Sequence, residues 1–381
     1  MGDRTEPTPP SIADVAPAFE VYETRRDGET LLYIGEPRIA PQQLEEELWP
    51  LFREQGYEVS LQRGYAGGEM PLSRGEYVLV AEPWSTSVDT IPWTNVILFV
   101  LTVLSTLFAG AAYWYQIPLA DQPWRAIEAW PFTVAIMGVL GIHELGHYVM
   151  SRYHDVEATL PYFIPIPTYI GSLGAVIRMK GRIPDRKALF DIGAAGPLAG
   201  LVATVVVTAI GLQLEPLPVQ QAAATQEGSV IIFNNPPLLE LIAEATGRAE
   251  RLESGAVHPV VFGGWVGMLV TLLNMLPVGQ LDGGHILRAM VGERQQLIAR
   301  VVPAGLFGLA AYLAVFVRGL DSVFIWTMWG VFAVGLAYAG PADPIEDEPL
   351  DRPRIAIGVL TFVLAVLCFT PIPVEIVEAT G

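Results

Sequence analysis

The stretch Gly141-Ile142-His143-Glu144-Leu145-Gly146-His147-Tyr148 decides the reading of this chain. It carries H-E-x-x-H near the end of an apolar run from Pro131 to Met150. On a helix, positions four apart share a face, so His143 and His147 can offer two imidazoles to one metal ion. Glu144 projects to the side, where a carboxylate can reach a metal-bound water and take its proton. A bare H-E-x-x-H is also a common solvated helix face. Here it sits in apolar sequence, and ionisable groups placed inside a membrane segment cost several kcal/mol unless they are used.

Working outward, the whole composition agrees with a membrane setting. Of 381 residues, 52% are hydrophobic, and the mean hydropathy is +0.41, which is high for a soluble enzyme. Seven apolar segments are read, at about 92–115, 131–152, 189–213, 259–278, 299–317, 322–340 and 354–371. Each is long enough to cross about 30 Å of hydrocarbon as a helix. The fold class expected is a polytopic α-helical membrane protein of about seven spans, with a small N-terminal α+β domain. Domain limits are read as a disordered tail at 1–14, a cytoplasmic α+β domain at 15–90, a membrane core at 91–290 and additional C-terminal helices at 291–381. The α+β domain is expected from strands at 30–34, 57–62 and 76–81, an amphipathic helix at 41–55 and a Gly-rich turn before the last strand.

Between the second and third segments the pattern changes. Leu160-Pro161-Tyr162-Phe163-Ile164-Pro165-Ile166-Pro167 is apolar but too rich in proline for a regular helix. Irregular backbone at membrane depth must be buried in protein or line a wet cavity. A re-entrant hairpin is therefore expected over 158–182, with Gly171-Ser172-Leu173-Gly174-Ala175-Val176-Ile177 in its return arm.

The net charge of −18, with 40 acidic and 22 basic residues, excludes a basic nucleic-acid-binding surface. An acid-rich surface with only two lysines, Lys180 and Lys187, suits high salt and suggests a salt-loving prokaryote. Cys368 is the only cysteine, so any metal is held by His and carboxylate. No targeting peptide is read at the start. Lys and Arg are in excess on the connections that share a side with the N-terminus, which places that terminus in the cytoplasm of a multi-pass cell-membrane protein.

Two histidines leave a zinc site incomplete. Segments two and four, separated by one crossing, run in the same direction. Asp282, in Asn274-Met275-Leu276-Pro277-Val278-Gly279-Gln280-Leu281-Asp282-Gly283-Gly284-His285, thus falls at the depth of His147. Pro277, Gly279, Gly283 and Gly284 are expected to unwind that helix end. His285 competes for the same role. Asp191 reads as a helix N-terminal residue, His154 as interfacial, and His258 and Asp321 lie on the opposite side.

H-E-L-G-H in one apolar segment and N-x-x-P-x-x-x-L-D-G-G at the end of another resemble the site-2 protease family of intramembrane zinc metalloproteases. Ala195-Gly196-Pro197-Leu198-Ala199-Gly200 resembles the family's A-G-P-x-A-N stretch, with Gly200 in place of Asn. The resemblance covers about residues 92–290. It implies Zn2+ on His143, His147 and Asp282, Glu144 as general base, and Asn274, Gly171 and Gly174 in substrate-contacting elements. The partners it implies are a membrane-anchored protein substrate and the lipid bilayer. No PDZ or CBS module is recognisable, and the N-terminal domain resembles that of the plastid-type and related prokaryotic branch. The oligomeric state is not legible. The competing expectations are a non-proteolytic metal-binding membrane protein or transporter, and a zinc hydrolase acting on lipids. Transport needs ligands at several depths, whereas these cluster on one side.

Overall fold

The computed structural model describes residues 9–65, 72–84, 91–179, 182–217, 223–224, 229–255, 257–317 and 320–378. The expected Gly-rich turn at 66–71 and most of the expected disordered tail lie outside them. The chain divides into two units, Met1–Asp89 and Thr90–Gly381.

In the first unit, β1 (Phe19–Asp27), β2 (Thr30–Pro37), β3 (Tyr57–Tyr65) and β4 (Leu72–Pro83) form one sheet in the order β1-β2-β4-β3. All pairings are antiparallel. Helix α1 (Pro41–Glu54) turns Leu44, Leu48 and Phe52, at helical spacing, into a core with Tyr33, Val59 and Leu79. The sequence reading missed β1. Its Glu20, Glu23, Arg25 and Asp27 dilute the apolar alternation, as suits a charged edge strand.

The second unit is helical: α2 (Trp93–Ala109), α3 (Trp130–Tyr153), α4 (Arg186–Gln213), α5 (Val260–Asn274), α6 (Asp282–Val291), α7 (Gln295–Tyr312), α8 (Leu320–Ala339) and α9 (Arg352–Leu367). Five helical stretches among the described residues are long and apolar enough to cross a membrane: Trp93–Trp114, Pro123–Tyr153, Arg186–Gln213, Asp282–Val317 and Ser322–Ala339. The expected fourth and seventh segments form helices of 15 and 16 residues, shorter than that criterion. The fourth stops at Asn274 because the turn over Pro277 and Gly279 follows at once. The expected fifth segment begins earlier than its hydropathy suggested, because Asp282 opens a continuous helical stretch.

Helices α3, α4 and α5 form the centre. A Cβ added at Gly263 would lie 2.6 Å from that of Ala135, and one at Gly267 2.6 Å from a methyl of Val139. Residue numbers thus rise together along α3 and α5, which run parallel. Gly196 faces His147 and Gly200 faces His143, so α4 is antiparallel to both.

The proline-broken segment forms a hairpin of β5 (Tyr162–Pro165) and β6 (Ser172–Val176), pairing Tyr162 with Val176 and Ile164 with Gly174. Its leftover carbonyls are satisfied from α2 and the turn after it. Asn95 Nδ2 donates to Leu160 O at 2.7 Å, Ser105 Oγ to Ile166 O at 3.0 Å, and Trp114 Nε1 to Tyr169 O at 2.8 Å. This is how irregular backbone persists in an apolar setting.

Candidate metal centre

Helix α3 places His143 and His147 four residues apart on a buried face, with rings in edge contact and Nε2 atoms 3.3 Å apart. Asp282, the first residue of α6, brings Oδ2 to 3.2 Å from His143 Nε2 and Oδ1 to 3.2 Å from His147 Nε2. Among the described residues, His143, His147 and Asp282 are the group of His, Cys and carboxylate side chains whose ligand atoms converge, all within 4.8 Å.

Asp282 does not turn in from an unwound end of α5, as the sequence suggested. Residues 275–281 fold back over the start of α6, and Asp282 begins the new helix. A Cβ at Gly283 would lie 2.2 Å from Met275 O, and one at Gly284 2.3 Å from Gly279 O. The two glycines are therefore required by the close approach of that turn.

The donor set fits a cation. His147 Nδ1 lies 2.8 Å from Ile192 O, so Nδ1–H donates to that carbonyl and Nε2 carries the lone pair. The buried Asp282 Oδ2 has no hydrogen-bond partner. The lone pair of His147 Nε2 and an Asp282 oxygen, facing one another at 3.2 Å, repel unless a proton or a cation lies between them. Two borderline imidazole nitrogens and one hard carboxylate oxygen make a donor set of the kind that zinc takes.

Glu144 is buried beside this group, 7% exposed, and its carboxylate accepts the Ile177 N–H just beyond β6. The hairpin thus abuts the centre. Asn274, the last residue of α5, brings Nδ2 to 3.2 Å from His143 Nε2. Gly171 (φ +81°) packs against the Thr106 backbone, where an added Cβ would fall 2.5 Å from Cα. Gly174 (φ +121°) has nothing within 4 Å of its Cβ position. His285 is buried but stays outside the converging group, with Nδ1 unpartnered.

Two features escaped the sequence reading. Gly196 and Gly200 leave space for the two imidazoles, since a Cβ at Gly196 would lie 2.0 Å from His147 Nε2 and one at Gly200 2.8 Å from His143 Nδ1. The A-G-P-x-A-G stretch was the available signal. Asp191 is not a helix cap. Asp185 caps α4 by accepting the Ala188 N–H, while Asp191 binds His154 and Arg354. No spacing rule joins residues 154, 191 and 354.

Helices long and apolar enough to cross a membrane thus carry a His–His–carboxylate group that could hold a metal ion, with a buried glutamate beside it. Residues 131–316 match the model of Peptidase family M50. It is similar to the probable zinc metalloprotease EGY1, chloroplastic, of Arabidopsis thaliana, with 33% identity over 84% of this chain and 59% of that one. The corresponding rice protein is 29% identical over 93% of this chain and 65% of its own. The chain thus spans less than two thirds of these relatives' length. Among solved structures, the site-2 protease from Methanocaldococcus jannaschii aligns with 68% of this chain and 93% of its own, at 20% identity and a TM-score of 0.28.

Proposed function

We propose that this protein is an intramembrane zinc metalloprotease that hydrolyses a peptide bond within or next to a transmembrane helix of a membrane-anchored protein. The observation that carries the reading is the convergence of His143, His147 and Asp282 beside buried Glu144. The family match and the printed names of the plant relatives support it. His143, His147 and Asp282 would hold Zn2+, which when bound polarises the scissile carbonyl and acidifies a water. Glu144 takes the proton of that water and returns it to the leaving amine.

A helical substrate hides its peptide bonds in its own hydrogen-bond ladder, so a segment must be held extended. The β5–β6 hairpin is a two-stranded sheet, and β6 can take an extended segment by strand addition beside Glu144. Gly174, open on its Cβ side, allows close backbone approach there. Asn274 contributes an amide at the centre. Gly171 serves mainly the packing of the hairpin on α2.

We place residues 15–90 as a cytoplasmic α+β domain, 91–290 as the protease core and 291–381 as additional helices. The Lys and Arg distribution supports that orientation. A salt-loving prokaryotic source rests on composition alone and gains nothing from relatives described as chloroplastic.

The test compares membrane-protein fragments released in cells by wild type and by Glu144→Gln. Fragments present only with wild type are expected. Equal fragment sets would remove Glu144 as the base.

A further inference from the structure

Two consecutive residues of α4 meet α3 at positions two helical turns apart. Ile192 O accepts His147 Nδ1–H at 2.8 Å, and Asp191 Oδ2 lies 2.9 Å from His154 Nε2. Asp191 is also gripped from α9, where Arg354 Nε and Nη2 donate to its two oxygens at 2.8 Å each. Arg354 is steadied by Asp351, which accepts both its backbone N–H and its Nη1. The side chains of Asp191, His154 and Arg354 are 15%, 17% and 29% exposed. A charged network this sheltered, at the end of an apolar helix, is costly unless each charge is matched.

This network acts one residue from the carbonyl that sets the tautomer of His147. A metal-ligating imidazole needs its second nitrogen held, and such outer partners set metal affinity. Rotation or sliding of α4 would carry the Ile192 carbonyl away from His147. The fork on Asp191 resists both motions, because two parallel N–H···O bonds fix angle as well as distance. Arg354 lies outside the family-matched segment 131–316, so the C-terminal helix reaches the residue beside Ile192 from beyond that segment.

We propose that Arg354, acting through Asp191, is a positioning residue that keeps the Ile192 carbonyl on His147 and so tunes the affinity of the centre for zinc. This rests on the reading of His143, His147 and Asp282 as metal ligands.

The test measures zinc affinity of the full chain in detergent by chelator competition, for wild type, Arg354→Gln, Arg354→Lys and His147→Ala. The thermal midpoint of each metal-stripped protein is recorded alongside. Arg354→Gln is expected to bind zinc about tenfold more weakly. Arg354→Lys keeps the charge without the fork and should fall between Arg354→Gln and wild type, with a metal-free midpoint close to wild type. Wild-type affinity in Arg354→Lys and Arg354→Gln, with zinc lost from His147→Ala, overturns the proposal and leaves a purely structural clamp. A loss of affinity that only tracks a lower metal-free midpoint does the same. Should Arg354→Gln fail to fold, wild-type affinity in Arg354→Lys alone overturns it. Undiminished zinc binding by His147→Ala would instead bring down the ligand reading itself.

Discussion

Gly196 shows how little room the centre leaves. The Cβ of an alanine there would fall 2.0 Å from His147 Nε2, the atom that faces Asp282, while the helix backbone holds both partners in place. Gly196→Ala is therefore predicted to lower zinc affinity at least tenfold while the helical circular dichroism stays unchanged; wild-type metal content in the purified variant would refute it. Glu144 differs, since it flanks the donors without being one of them, so Glu144→Gln should keep its zinc and lose at least about a hundredfold in cleavage rate. In the N-terminal unit, Tyr33 is buried, donates to Pro10 O at 2.8 Å, and burial pushes its phenol up to about 12. The neutral form is then favoured in the folded unit. Its contribution is fully present below the ordinary tyrosine value near 10 and is lost as pH rises from there through about 12. Tyr33→Phe should flatten that alkaline loss in a pH-dependent unfolding series. The two imidazoles were legible in the sequence because helical periodicity alone puts i and i+4 on one face. The Ile192 carbonyl was not, because a backbone acceptor leaves no mark in residue identity.

Among the elements, α5 is the one whose sequence and role diverge most. Its apolar run reads as a span interrupted by glycines, and it is a 15-residue rod, buried along most of its length, that approaches α3 through one of them, Gly263. Hydropathy reports the polarity of surroundings and cannot separate burial in protein from burial in lipid, so the span count was the least legible part of the fold. Direction was legible: counting crossings made α3 and α5 parallel, and their contacts at Ala135–Gly263 and His143–Asn274 run in that order. Gly263→Ala would push a Cβ to 2.6 Å from that of Ala135 and should cost about 1–3 kcal/mol by overpacking. Gly305→Ala, in α7 with nothing within 4 Å, should be neutral or stabilising by up to about 1 kcal/mol. Thermal midpoints of the two variants in the same detergent decide the matter, and an equal drop in both would show that close approach is not the cause. The hairpin was legible because alternating prolines forbid a helix, but its anchors Asn95, Ser105 and Trp114 lie far away in sequence.

At the scale of the molecule, the proposed zinc centre would also be a fastening. It joins α3 to the start of α6, while α4 reaches it through Ile192 and α9 through the Arg354–Asp191 pair. Removing a cation that binds only the folded state costs RT ln(1 + [metal]/Kd), about 2.7 kcal/mol at a hundredfold excess over Kd. The loss is compounded by leaving lone pairs about 3.2 Å apart. Cys368 offers a local gauge of that unit, being the only cysteine and 2% exposed. It packs in the same apolar cluster as Ile136 of α3, Leu201 of α4 and Met268 of α5. Chelation is predicted to raise its rate of maleimide labelling at least tenfold at a temperature just below the unfolding transition, and restored zinc should reverse the effect. His147→Ala, already deprived of a ligand, should label fast with or without chelator. If wild type labels at one rate in both conditions, the centre does not fasten these helices, and whatever holds them must lie in the apolar packing alone.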